Sequence, residues 1–106
     1  MPEMKDKQLG MLGLCRKAGK LSVGHDAVIQ SIVTSQAKLC LLTADASQRL
    51  MNETSHSASF EGKSIPVIVT NLSMEDMYHA VGTKAAVLSV NDEGFAKKIM
   101  QLFGEE

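Results

Sequence analysis

The run from Lys38 to Thr43, KLCLLT, constrains this chain more than any other stretch. It is continuously apolar and too short for a helix. It leaves no side for water, so it predicts a central strand covered on both faces. A strand covered twice needs helices on either side, and the rest of the sequence supplies them in alternation.

Ahead of that run, Met11, Leu14, Cys15 and Ala18 recur at helical spacing. They predict a helix from about Asp6 to Ala18, capped by Asp6 at its start and ended by Gly19. Leu21 to Val23 is a short extended piece. Gly24 permits an unusual backbone angle, and Val28, Ile29, Ile32 and Val33 form the buried stripe of a second helix. After the central run, TADAS leads to a third helix from about Ser47, carrying Leu50 and Met51. The stretch ETSHSASFEGK predicts a fraying end and a loop.

Ile65 to Val69 reads as a strand, with Pro66 tolerated near its start. Ser73 and Asp76 are spaced as a capping-box analogue. They open a short fourth helix with Met74, Met77, Tyr78 and Val81 on one face and Gly82 at its end. Ala85 to Val90 is a last strand. Asn91 or Asp92 caps a final helix whose apolar face is Phe95, Ile99, Leu102 and Phe103. The order αβαβαβαβα predicts an α/β fold, a mixed sheet sandwiched between helices in three α/β/α layers.

A chain of 106 residues is expected to form one domain, burying roughly two-thirds of its unfolded surface without metal or disulfide staples. Cys15 and Cys40 lie in apolar contexts and read as buried free thiols. No Cys/His spacing suggests zinc, and no cofactor is expected. No run approaches the roughly 20 apolar residues of a membrane span, and the mixed-charge start is not a signal peptide. A cytosolic monomer with no membrane or DNA partner is the expectation. Net charge is −1, unusual for a dedicated nucleic-acid binder. The balance is uneven: residues 1–40 carry six Lys/Arg and three Asp/Glu, residues 41–106 five and nine.

The chain has no phosphate-binding G-x-x-x-x-G-K-[ST], no G-x-G-x-x-G and no G-x-S-x-G, so no enzyme is expected. His56 reads as solvated in a polar loop, His79 lies on the polar side of the fourth helix, and Asp45 reads as a cap. The functional edge is sought at the junction before the second helix. Arg16, Lys17 and Lys20 precede Gly24, and a helix start presents unpaired N–H groups to a phosphate. A second loop, Ala80 to Lys84, follows a helix as well, and its small apolar residues could support an extruded base. Together the two loops point to RNA.

LGLCRKAGKLSVGHDAVIQSI, TADAS, IPVI, Ala80-Val81-Gly82 and NDEGFAKKI together resemble the YlxQ-like bacterial branch of the kink-turn-binding ribosomal proteins. This is the large-subunit "seven-Ae" and "thirty-e" family, related also to the Gadd stress proteins. The resemblance covers nearly the whole chain in order. It implies a four-stranded mixed sheet and binding to a kink-turn, a sharply bent structured RNA, with the ribosome as a possible setting. In that family a Gly and a polar residue are followed by Asn-Glu, which read tandem sheared G·A pairs, and by a Lys three residues later. Here Gly24 and His25 fill the first two positions, while Asp26, Ala27 and Gln30 replace Asn, Glu and Lys. The expected site is Lys20 for phosphate, Gly24 for close backbone approach, and His25, Asp26 and Gln30 for base-edge hydrogen bonds. Val81 and Gly82 would support the extruded base. Asp26 is alternatively a cap for the second helix. The competing functional reading is a protein-interaction module that kept the fold and lost RNA readout.

Overall fold

A computed structural model describes residues 2–104. The elements are α1 (Pro2–Lys17), β1 (Leu21–Val23), α2 (His25–Val33), β2 (Leu39–Leu42), α3 (Gln48–Ser59), β3 (Val67–Val69), α4 (Met74–Val81), β4 (Val87–Val90) and α5 (Glu93–Leu102). The four strands form one mixed sheet in the order β1-β4-β2-β3. β4 is antiparallel to both β1 and β2, and β3 is parallel to β2. Three strands therefore point one way, and β4 alone points back.

The continuous apolar run is the centre of this sheet. All four residues of β2 are buried, with Leu41 paired to Leu88 on one side and Ile68 on the other. Alternation along the strands divides the core between the two faces. Leu39, Leu41, Leu88 and Val90 pack with Leu12 and Cys15 of α1, Met77 of α4 and Ile99 of α5. Cys40, Leu42 and Val87 pack with Val28 and Ile32 of α2, flanked by Leu50 and Met51 of α3. Cys15 and Cys40 thus lie in cores on opposite faces of the sheet and are free thiols. Burial pushes each up to about 11, Asp92 adding to the effect at Cys15.

Several boundaries differ from the sequence pattern. α1 begins before Asp6, which therefore lies inside the helix and does not cap it. Its buried face is Gln8, Leu12 and Cys15, while Leu14 and Ala18 are exposed. Gln8 escapes an apolar pattern because it is a buried polar residue, its Nε2 donating to the Leu102 carbonyl at 2.9 Å. The end of α1 is as expected. Gly19 takes a φ of +74°, and the Lys20 and Gly19 N–H groups return to the Cys15 and Arg16 carbonyls, each at 3.0 Å. These are the paired bonds of a Schellman ending.

The stretch expected to fray after the third helix stays helical to Ser59 and adds a 3-10 turn, Phe60–Gly62. Burial of Thr54 and Ala58 on its inner face holds it, so His56 stands on a helix and not in a loop. Val33 and Tyr78, assigned to apolar stripes, are exposed. Asp92 caps α5, its Oδ2 accepting the Phe95 N–H at 2.9 Å, and Ala96 and Ile99 carry the buried face.

Candidate functional site

β1, β2 and β3 all end on one side of the sheet, and β4 begins there. α2, α3 and α4 start at that side as well. Gly24 forms the junction of β1 and α2, with φ +96° and ψ 160°, a backbone region that is essentially glycine's alone. Its N–H donates to the Val87 carbonyl at 2.9 Å, and its carbonyl accepts the Val28 N–H at 3.0 Å. One residue earlier along the chain, the Ala86 carbonyl accepts the Thr43 N–H at 2.9 Å. The segment 82–86 is thereby drawn against the start of α2. The two loops singled out in the sequence do meet at one end of the sheet.

The helix starts at this end differ in how their free N–H groups are used. Ser47 Oγ accepts from Leu50 at the start of α3 (3.1 Å). At α4, Ser73 Oγ accepts from Asp76, and Asp76 Oδ2 accepts from Ser73. Asp45, read as a cap in the sequence, accepts the Met74 N–H at 3.1 Å. α2 has no side-chain cap. Asp26 does not fill that role: its side chain is fully exposed, with His25 Nδ1 at 3.6 Å from its Oδ1. The first-turn N–H groups of α2 therefore face solvent without a partner among the described residues.

Around this open start, His25 lies between two carboxylates, Asp26 and Glu53, the latter at 3.7 Å from Nε2. Gln30 is exposed, and its carbonyl accepts from the Thr34 N–H and Oγ1. Gly82 ends α4 in the left-handed conformation, with φ +81°, and lies exposed. Two expected site residues are placed elsewhere. Val81 is buried in the α1/α4/α5 core, so its side chain offers no surface to a base. Lys20 lies at the opposite end of β1, where its carbonyl accepts the Asn91 N–H. At a rise of about 3.3 Å per residue, its Cα is about 13 Å from that of Gly24.

A support that the sequence pattern did not disclose lies beneath α2. Ser22 of β1 hydrogen-bonds Ser31 of α2. Asn91 Nδ2 donates to Ser22 Oγ at 2.9 Å, and Ser89 Oγ donates to Asn91 Oδ1 at 3.0 Å. This chain of small polar groups pins α2 to β1 and β4. Its only advance signal was a hydroxyl or amide at four positions where a core residue would do.

Among the described residues no cluster of His, Cys, Asp or Glu is placed to hold a metal ion. No helix of the described residues is long and apolar enough to cross a membrane.

Known proteins resemble this chain along nearly its whole length. It is 33% identical over 93 residues to a protein of Bacillus subtilis (strain 168) called RNA-binding protein YlxQ, covering 87% of this chain and 90% of that protein. A protein of the same name from Enterococcus faecium is 28% identical over 98 residues, 92% of each. Among solved structures, a protein of unknown function from Bacillus halodurans C superposes with a TM-score of 0.83 at 28% identity, covering 93% of this chain and 98% of that one. A Giardia lamblia 15.5kD RNA binding protein shares the fold, with a TM-score of 0.70 at 15% identity over 96% and 86% of the two chains. The model of the Ribosomal protein L7Ae/L30e/S12e/Gadd45 family matches residues 6–100, and the chain belongs to that family.

Proposed function

We propose that this chain is a small, non-catalytic RNA-binding protein that engages structured RNA at the start of α2 and the adjoining 82–86 segment. The observation that carries the reading is the open helix start. Its first-turn N–H groups are unspent, Gly24 leaves the backbone uncovered, and nothing lies within 4 Å of where a Cβ would stand. Such donors at the positive end of a helix suit a phosphate or a base carbonyl. The names of the relatives support the same reading.

The family's kink-turn is the first RNA to consider, and side-chain readout of it is weakened here. Asp26 supplies no amide donor and brings a negative charge, Ala27 supplies no acceptor, and Gln30 supplies no cation. Backbone contacts position an RNA without reading its bases. Binding is therefore expected to follow RNA shape more than the tandem G·A pairs. A titration by calorimetry or gel shift at two salt concentrations tests this, using a standard kink-turn RNA and the same RNA with its G·A pairs disrupted. Salt-sensitive binding to both, with modest preference for the intact RNA, is the expected result. Absence of binding to either overturns the proposal.

One observation favours the competing protein-interaction reading. Val33 and Phe60 are exposed and line a groove of about 230 Å³ with Ile32, His56, Ser57 and Lys63. That reading gains ground if neither RNA binds.

A further inference from the structure

Lys20 was expected beside Gly24, and its displacement brings it into other company. At the far end of β1 its carbonyl accepts the Asn91 N–H at 2.8 Å, and the Lys38 N–H donates to the Val90 carbonyl at 2.7 Å. One peptide at the end of β4 thus holds the starts of β1 and β2 on its two flanks. Two strand spacings place Lys20 and Lys38 roughly 10 Å apart. Arg16 and Lys17 lie one turn before Lys20 at the end of α1. Lys63 precedes β3 and shares a groove with Ser35 and Ala37, just before Lys38.

Because β1, β2 and β3 point the same way, their starts gather these cations on one end of the sheet. Arg16, Lys17, Lys20 and Lys38 are exposed and Lys63 half-buried. Among the described residues none lies within 4 Å of a carboxylate, the ion pairs being formed by Lys5, His25 and Arg49. The carboxylates close in sequence are Glu61, Asp92 and Glu93, of which Asp92 is engaged with the Phe95 N–H. The opposite end carries Asp26, Asp45, Glu53, Glu75 and Asp76 against Arg49, Lys84 and Lys5, of which Arg49 is paired with Glu53 and Lys5 with Asp76. A chain of net charge −1 thus gathers five cations without a carboxylate partner among the described residues at the end of the sheet away from its open helix start.

We infer that this cationic end is a second RNA contact, one that takes phosphates of a helix flanking the segment held at α2. The inference rests on the RNA-binding reading above and adds to it a separate surface with a different task. The open start of α2 offers oriented N–H donors but little positive charge. The far end offers charge without oriented donors. The two are joined along the edge strand β1 by about 13 Å, on the order of four phosphate intervals of one duplex strand. One RNA helix can span both, fixed at one end and neutralised at the other.

The test pairs two RNAs with two variants. A kink-turn hairpin with a long flanking helix and the same hairpin with that helix trimmed are titrated across a salt series against the wild-type protein, Lys38→Gln/Lys63→Gln and Lys84→Gln. Thermal melts confirm that the variants, changed only at surface lysines, are folded. For the long RNA, the double variant is expected to lower the slope of log affinity against log salt by about 1.5, from roughly 0.7–0.9 per lost phosphate contact. The trimmed RNA should bind the double variant as it binds the wild type, and Lys84→Gln should weaken both RNAs alike. An unchanged slope for the double variant on the long RNA overturns this inference and leaves the α2 reading standing, as does an equal loss on both RNAs. Failure of the wild type to bind either RNA overturns the proposed function and this inference with it.

Discussion

α2 and α4 begin at the same end of the sheet and begin in opposite ways. At α4 the fold consumes its own helix start. Ser73 and Asp76 cap each other's N–H groups, Asp45 reaches across to Met74, and Lys5 approaches Asp76 at 3.1 Å. At α2 a glycine turns the chain and no side chain returns to the backbone. A capped start contributes to stability and is closed to ligands. A glycine-capped start such as that at Gly24 gives up only about a few tenths of a kcal/mol against a Ser or Asp cap and keeps its donors available. The second arrangement, held in place by the Ser22, Ser31 and Asn91 network, is what a contact surface requires.

The largest effect is expected from giving α2 the Asn, Glu and Lys that the family resemblance implies for kink-turn readout. Asp26→Asn, Ala27→Glu and Gln30→Lys together should restore side-chain readout, at about 1–3 kcal/mol for each base contact regained. The triple variant is predicted to bind an intact kink-turn RNA at least about tenfold more tightly than the wild type, since tenfold requires only about 1.4 kcal/mol. Its affinity for the G·A-disrupted control should change little. Equal gains on both RNAs would mean that the added lysine acts as a charge alone.

Next in size is Gly24→Ala. Space is open around the site, so the cost is conformational, about 1–3 kcal/mol for a non-glycine residue in that region. It should appear as a lower denaturation midpoint with an unchanged slope. Ser73→Ala should cost about 1 kcal/mol by the same measurement. The matching cap truncation does not exist at α2, where Asp26→Ala should leave the midpoint in place. A midpoint shift for Asp26→Ala comparable to that of Ser73→Ala would break the contrast between the two starts.

The smallest effect concerns acid. The Ser73 N–H holds the Asp76 carboxyl below its ordinary value, with Lys5 assisting. A carboxylate whose value is lowered on folding adds stability above its unfolded value, and that stability is lost as pH falls through the folded one. Asp76→Asn should therefore flatten the acid limb of the stability profile below about pH 4, as followed by denaturation midpoints across a pH series.

Much of the fold was legible because its signals are local. The uninterrupted KLCLLT run could only be a covered strand, the Ser73/Asp76 pair formed the box its spacing implies, and Gly19 and Gly82 ended their helices in left-handed turns. The failures share a cause too. The buried face of α1 was misread because Gln8 takes an inward position and Leu14 an outward one, which depends on α5 supplying a carbonyl. The tail of α3 stays helical because Thr54 and Ala58 find the sheet. At the candidate site, adjacency in sequence misled where strand direction decides. Lys20 and Gly24 are four residues apart and lie at opposite ends of β1, while Gly24 and Val87 are far apart in sequence and hydrogen-bonded. Val81 was assigned to the surface by its neighbour Gly82, although its own spacing from Met77 marks it as core.

The openness of the α2 start is tested most directly by following backbone amides by NMR as a kink-turn RNA is added. The N–H groups of His25, Asp26 and Ala27 should shift and become protected from solvent exchange, while those of Ser73, Met74 and Asp76, already bonded within the fold, should not gain protection. Unmoved amides at residues 25–27 in a protein that nonetheless binds the RNA would contradict the assignment of this helix start as the contact.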